Sequence, residues 1–162
     1  MIPLRQMRTD IARALADVLG IPVIRGNQSA PAPRYPYATY NIITPATAKG
    51  GTWQQHEDGY DRLLVRSIWS FTFLAQDCDE SMANAIRARE WFEHTGCTWL
   101  GGRGITVQSV SDIANRDNII SVEYERRSGF DVSFYVYDEV HRPIDDTGYI
   151  ETASIRREKA EG

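Results

Sequence analysis

The chain has 162 residues, of which 42% are hydrophobic and 25% charged, and its formal net charge is −4. That length suits one domain able to bury roughly 68–70% of its unfolded surface without staples, and the composition is too apolar for a disordered chain. No apolar run approaches the roughly 18 residues of a membrane-spanning helix, and an acidic chain offers no global basic field to hold nucleic acid.

At the amino end, charges are spread through an amphipathic pattern with no separate apolar stretch. That pattern argues against a secretory signal and for synthesis in the cytosol. Leu4, Met7, Ile11, Ala14, Leu15, Val18 and Leu19 recur at steps of three and four, predicting an amphipathic helix of about four turns. Gly20 and Pro22 supply its stop: a residue suited to a left-handed cap, then one that cannot continue a helix. A short strand is expected over Ile21 to Arg25, and the proline-rich stretch from Gly26 to Pro36 must be an extended loop. Tyr37 to Thr44 is β-branched and aromatic and reads as a strand closed by Pro45. Ala46 to Arg62, with Gly50, Gly51, Gly59 and only Trp53 and Tyr60 as large apolar groups, reads as a long, mobile loop.

Leu63 to Ala75 is the clearest strand, with Trp69, Phe71 and Phe73 on one face and Arg66, Ser70 and Thr72 on the other, and it is expected at the centre of a sheet. Asp77 or Asp79 can cap the helix that follows. Met82, Ala85, Ile86 and Phe92 are expected to form its apolar side, and Gly96 to end it. Three strands should follow: Ile105 to Val110, Ile119 to Arg126 and Phe130 to Val140, with turns at Asp117-Asn118 and Ser128-Gly129. In the last of them Phe130, Val132, Phe134 and Val136 fall on one face and Asp131, Ser133, Tyr135 and Tyr137 on the other, the period of a strand with one buried side. Residues 143–162 depart from this pattern as a strand-like, charged arm. The whole predicts an α+β domain over 1–142, a largely antiparallel or mixed sheet with two helices on one face, and a carboxyl-terminal extension.

Residues that could carry chemistry do not converge. His56, His94 and His141 belong to no metal-ligand spacing. His56-Glu57-Asp58-Gly59-Tyr60-Asp61 lacks the alternating carboxylates of a calcium loop. Asp138-Glu139 with Asp145-Asp146 reads as strand-end and turn acids. Gly101-Gly102-Arg103-Gly104 precedes a strand, whereas phosphate loops open a helix. Cys78 and Cys97 flank a helix whose ends lie roughly 24 Å apart, too far for a bridge, so both are plain thiols. Arg126 and Arg127 can pair with Glu123 and Glu125 within the chain or bridge to another subunit.

Three segments together resemble the bacteriophage tail-terminator, or neck-terminator, proteins. They are the amino-terminal helix ending in Gly20-Ile21-Pro22-Val23-Ile24, the Pro33-Arg34-Tyr35-Pro36-Tyr37-Ala38-Thr39-Tyr40 lead-in to a strand, and Tyr124 to Val132 running on to Asp138-Glu139. These anchor points span about residue 4 to residue 140. The resemblance implies a non-enzymatic virion protein without cofactors, assembled in the host cytoplasm. It would form a ring, usually of six, on the head-proximal end of the tail tube. Its partners would be further copies of itself, the tail tube protein and a head-tail connector, with no membrane. DNA would cross the lumen without being read. A ring needs two different complementary patches on each subunit. Aromatic residues are enriched at interfaces, so Trp53, Tyr60, Tyr135 and Tyr137, with Arg126 and Arg127, are the expected subunit contacts. The alternatives are another head-tail connector or tail-completion protein and, more remotely, a metal-dependent hydrolase using His56, Asp58 and Asp61.

Overall fold

A computed structural model describes residues 1–27, 29–117 and 125–142. Among these residues the elements are α1 (Leu4–Leu19), β1 (Val23–Arg25), β2 (Tyr37–Ala48), β3 (Gln54–Gln55), β4 (Tyr60–Ala75), α2 (Cys78–Glu93), α3 (Thr95–Gly101), β5 (Thr106–Val110), β6 (Ala114–Asn115) and β7 (Arg126–His141). The strands join in one mixed sheet in the order β1-β2-β4-β7-β5, with β3 added to β4 and β6 to β7. Only β1 and β2 run parallel; the other pairs are antiparallel. The α+β expectation holds, with the helices on one face of the sheet. The expected strand from Ile119 and the carboxyl-terminal arm lie outside the described residues, except for Glu125, which precedes β7, and Arg126, which opens it.

The core is aromatic and sits between the sheet and α2. Trp69, Phe71 and Phe73 of β4 and Phe130, Val132 and Phe134 of β7 are fully buried, as the period-2 pattern predicts. Phe92 of α2 meets Phe71 at 5.1 Å and Phe134 at 5.8 Å between ring centroids, distances at which aromatic pairs add to simple burial. The indole N–H of Trp69 donates to Ser67 Oγ at 2.8 Å, and that hydroxyl donates to the Thr44 carbonyl at 3.1 Å, so the polar groups buried beside the rings are paired. α1 adds Met7, Ile11, Leu15 and Leu19, one residue per turn on a single stripe. Gly20 ends α1 at φ +70°, its N–H returning to the Ala16 carbonyl. Arg87 of α2 donates to the Val18 carbonyl at 2.7 Å, tying the two helices together at that end.

Several expectations are corrected. β2 does not close at Pro45 but runs to Ala48. Its register shifts between Thr44 and Thr47, and β1 flanks β2 only as far as Tyr40, so Pro45 sits at an irregularity on an open edge where its missing N–H costs nothing. The loop expected from Ala46 to Arg62 is in part sheet: β2 extends to Ala48, β3 pairs with Arg62 and Asp61, and a tight turn at His56 to Gly59 leads into β4, while residues 49–53 stay outside the strands. α2 is rotated from the expected orientation: Ala85 and Phe92 face inward as expected, whereas Met82 and Ile86 do not. It buries Ser81, Asn84, Ala85, Ala88, Trp91 and Phe92, while Met82 and Ile86 are exposed. Small side chains let the helix lie close to the sheet, and Ser81 Oγ fastens it by donating to the Phe73 carbonyl at 2.9 Å. Asp77 caps it, accepting from the Glu80 N–H. α2 ends at Glu93, and Gly96 belongs to a third helix, α3. A Cβ on Gly96 would collide with the Trp91 indole, so glycine is what lets these two helices meet.

The expected turn at Ser128-Gly129 is absent: β7 runs through it without a break, Gly129 pairing with Thr72 on one side and Ala114 on the other. Glycine is required there by crowding. A Cβ would meet the Phe71 carbonyl oxygen and come within 2.9 Å of the Arg116 side chain. Gly129→Ala is therefore expected to destabilise the protein by about 1–3 kcal/mol in urea unfolding. Ser133→Ala on the same face should stay within about 0.5 kcal/mol, and equal costs for the two variants would count against this packing.

Candidate interaction surface

β4 and β7 are joined by an uninterrupted ladder from Tyr60↔His141 to Ala75↔Arg126. Because successive side chains alternate, one face of this ribbon is the core and the other is the side that no helix covers among the described residues. On that outer face Leu64 lies opposite Tyr137, Arg66 opposite Tyr135, Ile68 opposite Ser133 and Ser70 opposite Asp131.

One end of the outer face is closed by a polar network. Arg116, just beyond β6, lays its guanidinium over Gly129 and donates to Ser70 Oγ (2.5 Å), Thr72 Oγ1 (3.1 Å), the Phe71 carbonyl (3.3 Å) and the Asp131 carboxylate (2.8 Å). Asp117 accepts the backbone N–H of Arg127 at 2.6 Å and pairs with the Arg126 guanidinium at 3.2 Å. The Arg127 N–H, foremost, and then the Arg126 side chain hold the Asp117 carboxyl below the usual carboxylate range. Arg127 also donates from its side chain to Glu125, which accepts the Tyr35 hydroxyl. Tyr35 stacks on Tyr37 at 5.4 Å, and the Tyr37 hydroxyl is pushed up by burial and then by the Glu125 charge.

The opposite end is open. Leu64 is 38% and Tyr137 51% exposed, and the Lys49 ammonium stands 5.9 Å from the Tyr135 ring centroid, within cation-π range. Arg66 Nε is shielded from water and has no acceptor. Among the described residues neither Lys49 nor Arg66 has an acidic partner. Tyr60 packs edge-on against His141 at 5.2 Å, and Trp53 stands exposed beside β3. Arg62 is held by Asp58 and Glu139, both at 2.6 Å. The Asp58 carboxyl lies below its usual range, chiefly through the Arg62 hydrogen bond and then the Tyr60 N–H.

The expected contact residues thus fall at two places. Trp53, Tyr60, Tyr135 and Tyr137 gather toward the open end. Arg126 and Arg127 sit at the closed end and have intrachain partners, Arg126 lying fifteen residues from the Tyr60 level of the ladder, roughly 50 Å at about 3.3 Å per residue. Lys49 and Arg116 escape a reading of the sequence because each is a lone cation whose importance comes from the face it reaches; Arg66 is placed on that face by alternation, but its lack of a partner is not legible there. Of the hydrolase candidates, Asp58 is paired with Arg62 and Asp61 lies 3.8 Å from Arg142, while His56 Nε2 and Asp61 Oδ1 are buried without a hydrogen-bond partner. No group of three or more His, Cys, Asp or Glu able to hold a metal occurs among the described residues. Cys78 and Cys97 are both free. No helix among the described residues is long and apolar enough to cross a membrane.

Compared with known families, residues 9–160 match the phage neck terminator protein family. The match reaches past Pro143, where the resemblance read from the sequence stopped, so the carboxyl-terminal segment belongs to the matched region. No curated protein matches the chain. Proteins of that family are structural components of the phage neck, which places the chain in the virion at the tail or neck, in contact with other phage tail and head proteins.

The Asp117 contacts make a pH-dependent contribution with a definite sign. A carboxyl held below its unfolded value of about 3.9 stabilises fully above that value, and the contribution is lost as pH falls through the lower folded value. Asp117→Ala should cost about 1–2 kcal/mol at neutral pH, and its deficit against the unmodified chain should shrink in acid below about pH 4. Urea titrations across that range would refute the assignment if the deficit were the same throughout.

Proposed function

This chain belongs to the phage neck terminator family, and from that premise we propose that it is a non-enzymatic virion assembly protein. Copies close into a ring, of six subunits by the family resemblance, on the head-proximal end of the tail tube. The ring ends tube polymerisation and presents a surface to the head-tail connector. It is assembled in the host cytoplasm. Residues 1–142 form the body of each subunit, with 143–162 as an extension from it. DNA crosses the lumen without sequence-specific contact, for which a chain of net charge −4 is suited: a strongly basic channel would retain DNA by neutralising its phosphates.

The observation that carries this reading is the family match over residues 9–160. The open end of the outer sheet face supports it. Exposed aromatic and aliphatic residues grouped on a rigid strand pair are suited to a contact between proteins, and Trp53, Tyr60, Tyr135 and Tyr137 are assigned to subunit or ring contacts on that ground. Arg126 and Arg127 are assigned a supporting part, shaping the closed end through Asp117 and Glu125.

Tails assembled without this chain test the reading. Tubes of uncontrolled length that fail to join heads are expected, and tubes of normal, fixed length would contradict termination. Native mass measurement adds the stoichiometry: six copies of 18.4 kDa give about 110 kDa.

A further inference from the structure

Two exposed apolar patches lie on opposite sides of the subunit. On the outer sheet face Leu64 and Tyr137 form a cross-strand pair, extended by Ile68 and Tyr135. On α2, Met82 and Ile86 stand one turn apart, 40% and 48% exposed. α2 packs on the sheet through Ser81, Ala85 and Ala88, so its Met82–Ile86 stripe points away from the sheet.

Charge distinguishes the two patches. The sheet patch is bordered by Lys49 and Arg66, which have no acidic partner among the described residues. The α2 stripe is continued by Asp79 and Glu90, which fall on the same helical face as Met82 and Ile86 and whose carboxylates have no basic partner among the described residues. The paired charges beside each patch, Arg62–Glu139 on the sheet and Arg89–Glu93 on α2, are closed within the chain, so the charges left open at the two borders are opposite in sign and each patch is suited to the other.

We propose that the outer sheet face of one copy receives α2 of the next copy, with Leu64, Ile68 and Tyr137 against Met82 and Ile86, and Lys49 and Arg66 facing Asp79 and Glu90. This rests on the ring reading and deepens it by naming the two surfaces that meet. A sheet-to-sheet contact would set Lys49 and Arg66 against their own copies, and a helix-to-helix contact would do the same with Asp79 and Glu90; like charges across an interface oppose association. The charge pattern thus rejects both two-fold arrangements and selects a heterologous contact, the type that builds a ring when its rotation closes.

The test uses chains with Cys78 and Cys97 replaced by Ser, carrying Tyr137→Cys, Ile86→Cys or both, treated with a short bismaleimide in solution and after assembly on tail tubes. The double variant should give a ladder of covalent oligomers. Either single variant alone should give none, and the two singles mixed should stop at dimers. A double variant without cross-linked species, or Tyr137→Cys linking to itself, overturns the proposal, the former being the outcome if this face meets DNA, the tube or the connector instead. In the native-cysteine background, Arg66→Glu should weaken association tenfold or more, and Glu90→Arg in the same chain should recover most of it; no weakening, or no recovery, also overturns it. Native mass on the same samples separates the two claims. Oligomers of about 110 kDa that fail to cross-link remove this contact and leave the ring, whereas monomers on and off the tube remove both.

Discussion

The ladder between β4 and β7 is the constraint on which the rest of this structure depends. Its pairs run without a bulge from Tyr60↔His141 to Ala75↔Arg126, so side-chain direction is fixed along the whole ribbon. The core face of the ladder supplies Trp69, Phe71, Phe73, Phe130 and Phe134, against which α2 packs. The other face carries Leu64, Arg66, Tyr135 and Tyr137 outward by the same alternation. Core and outer face are two sides of one register, and a slip of one residue would exchange them.

A second consequence is that the outer face is graded along its length. Near Arg127 it is crossed by Arg116, which is possible only because Gly129 leaves space above the strand, and it is bordered by Asp117, Glu125 and Tyr35. There the polar groups satisfy one another within the chain. Near Tyr137 no such network forms: Lys49 and Arg66 lack acidic partners among the described residues, and large apolar side chains face outward. The closed end satisfies its polar groups internally, and the open end leaves its groups exposed to a partner.

How much of this can be read in the sequence depends on how local the cause is. The period-2 pattern of Phe130 to Val136, the period of α1 and its Gly20 stop are local, and the structure has them as read. Gly129 was legible as a special position, but its reason is crowding by Phe71 and by Arg116, which only folding brings together; without that knowledge a Ser-Gly pair reads as a turn. Pro45 is tolerated because β1 ends beside Tyr40, again a matter of neighbours. In α2 two apolar stripes compete, Met82–Ile86 and Ala85–Ala88–Phe92, and the one with small side chains wins because the helix must approach an aromatic sheet closely. The open end of the outer face was half legible: its tyrosines and Arg66 follow from alternation, whereas Lys49 reaches it from just beyond β2, at a position that marks no pattern.

In the proposed neck ring, the open half of the β4–β7 face lies between adjacent subunits. A reconstruction of the assembled neck at side-chain resolution decides whether it does. Copies of this chain should form a closed ring at the head-proximal end of the tube, with Leu64 and Tyr137 buried against α2 of the adjacent copy. A ring in which those side chains line the lumen or remain in solvent, or a neck in which the chain forms no ring, would contradict it.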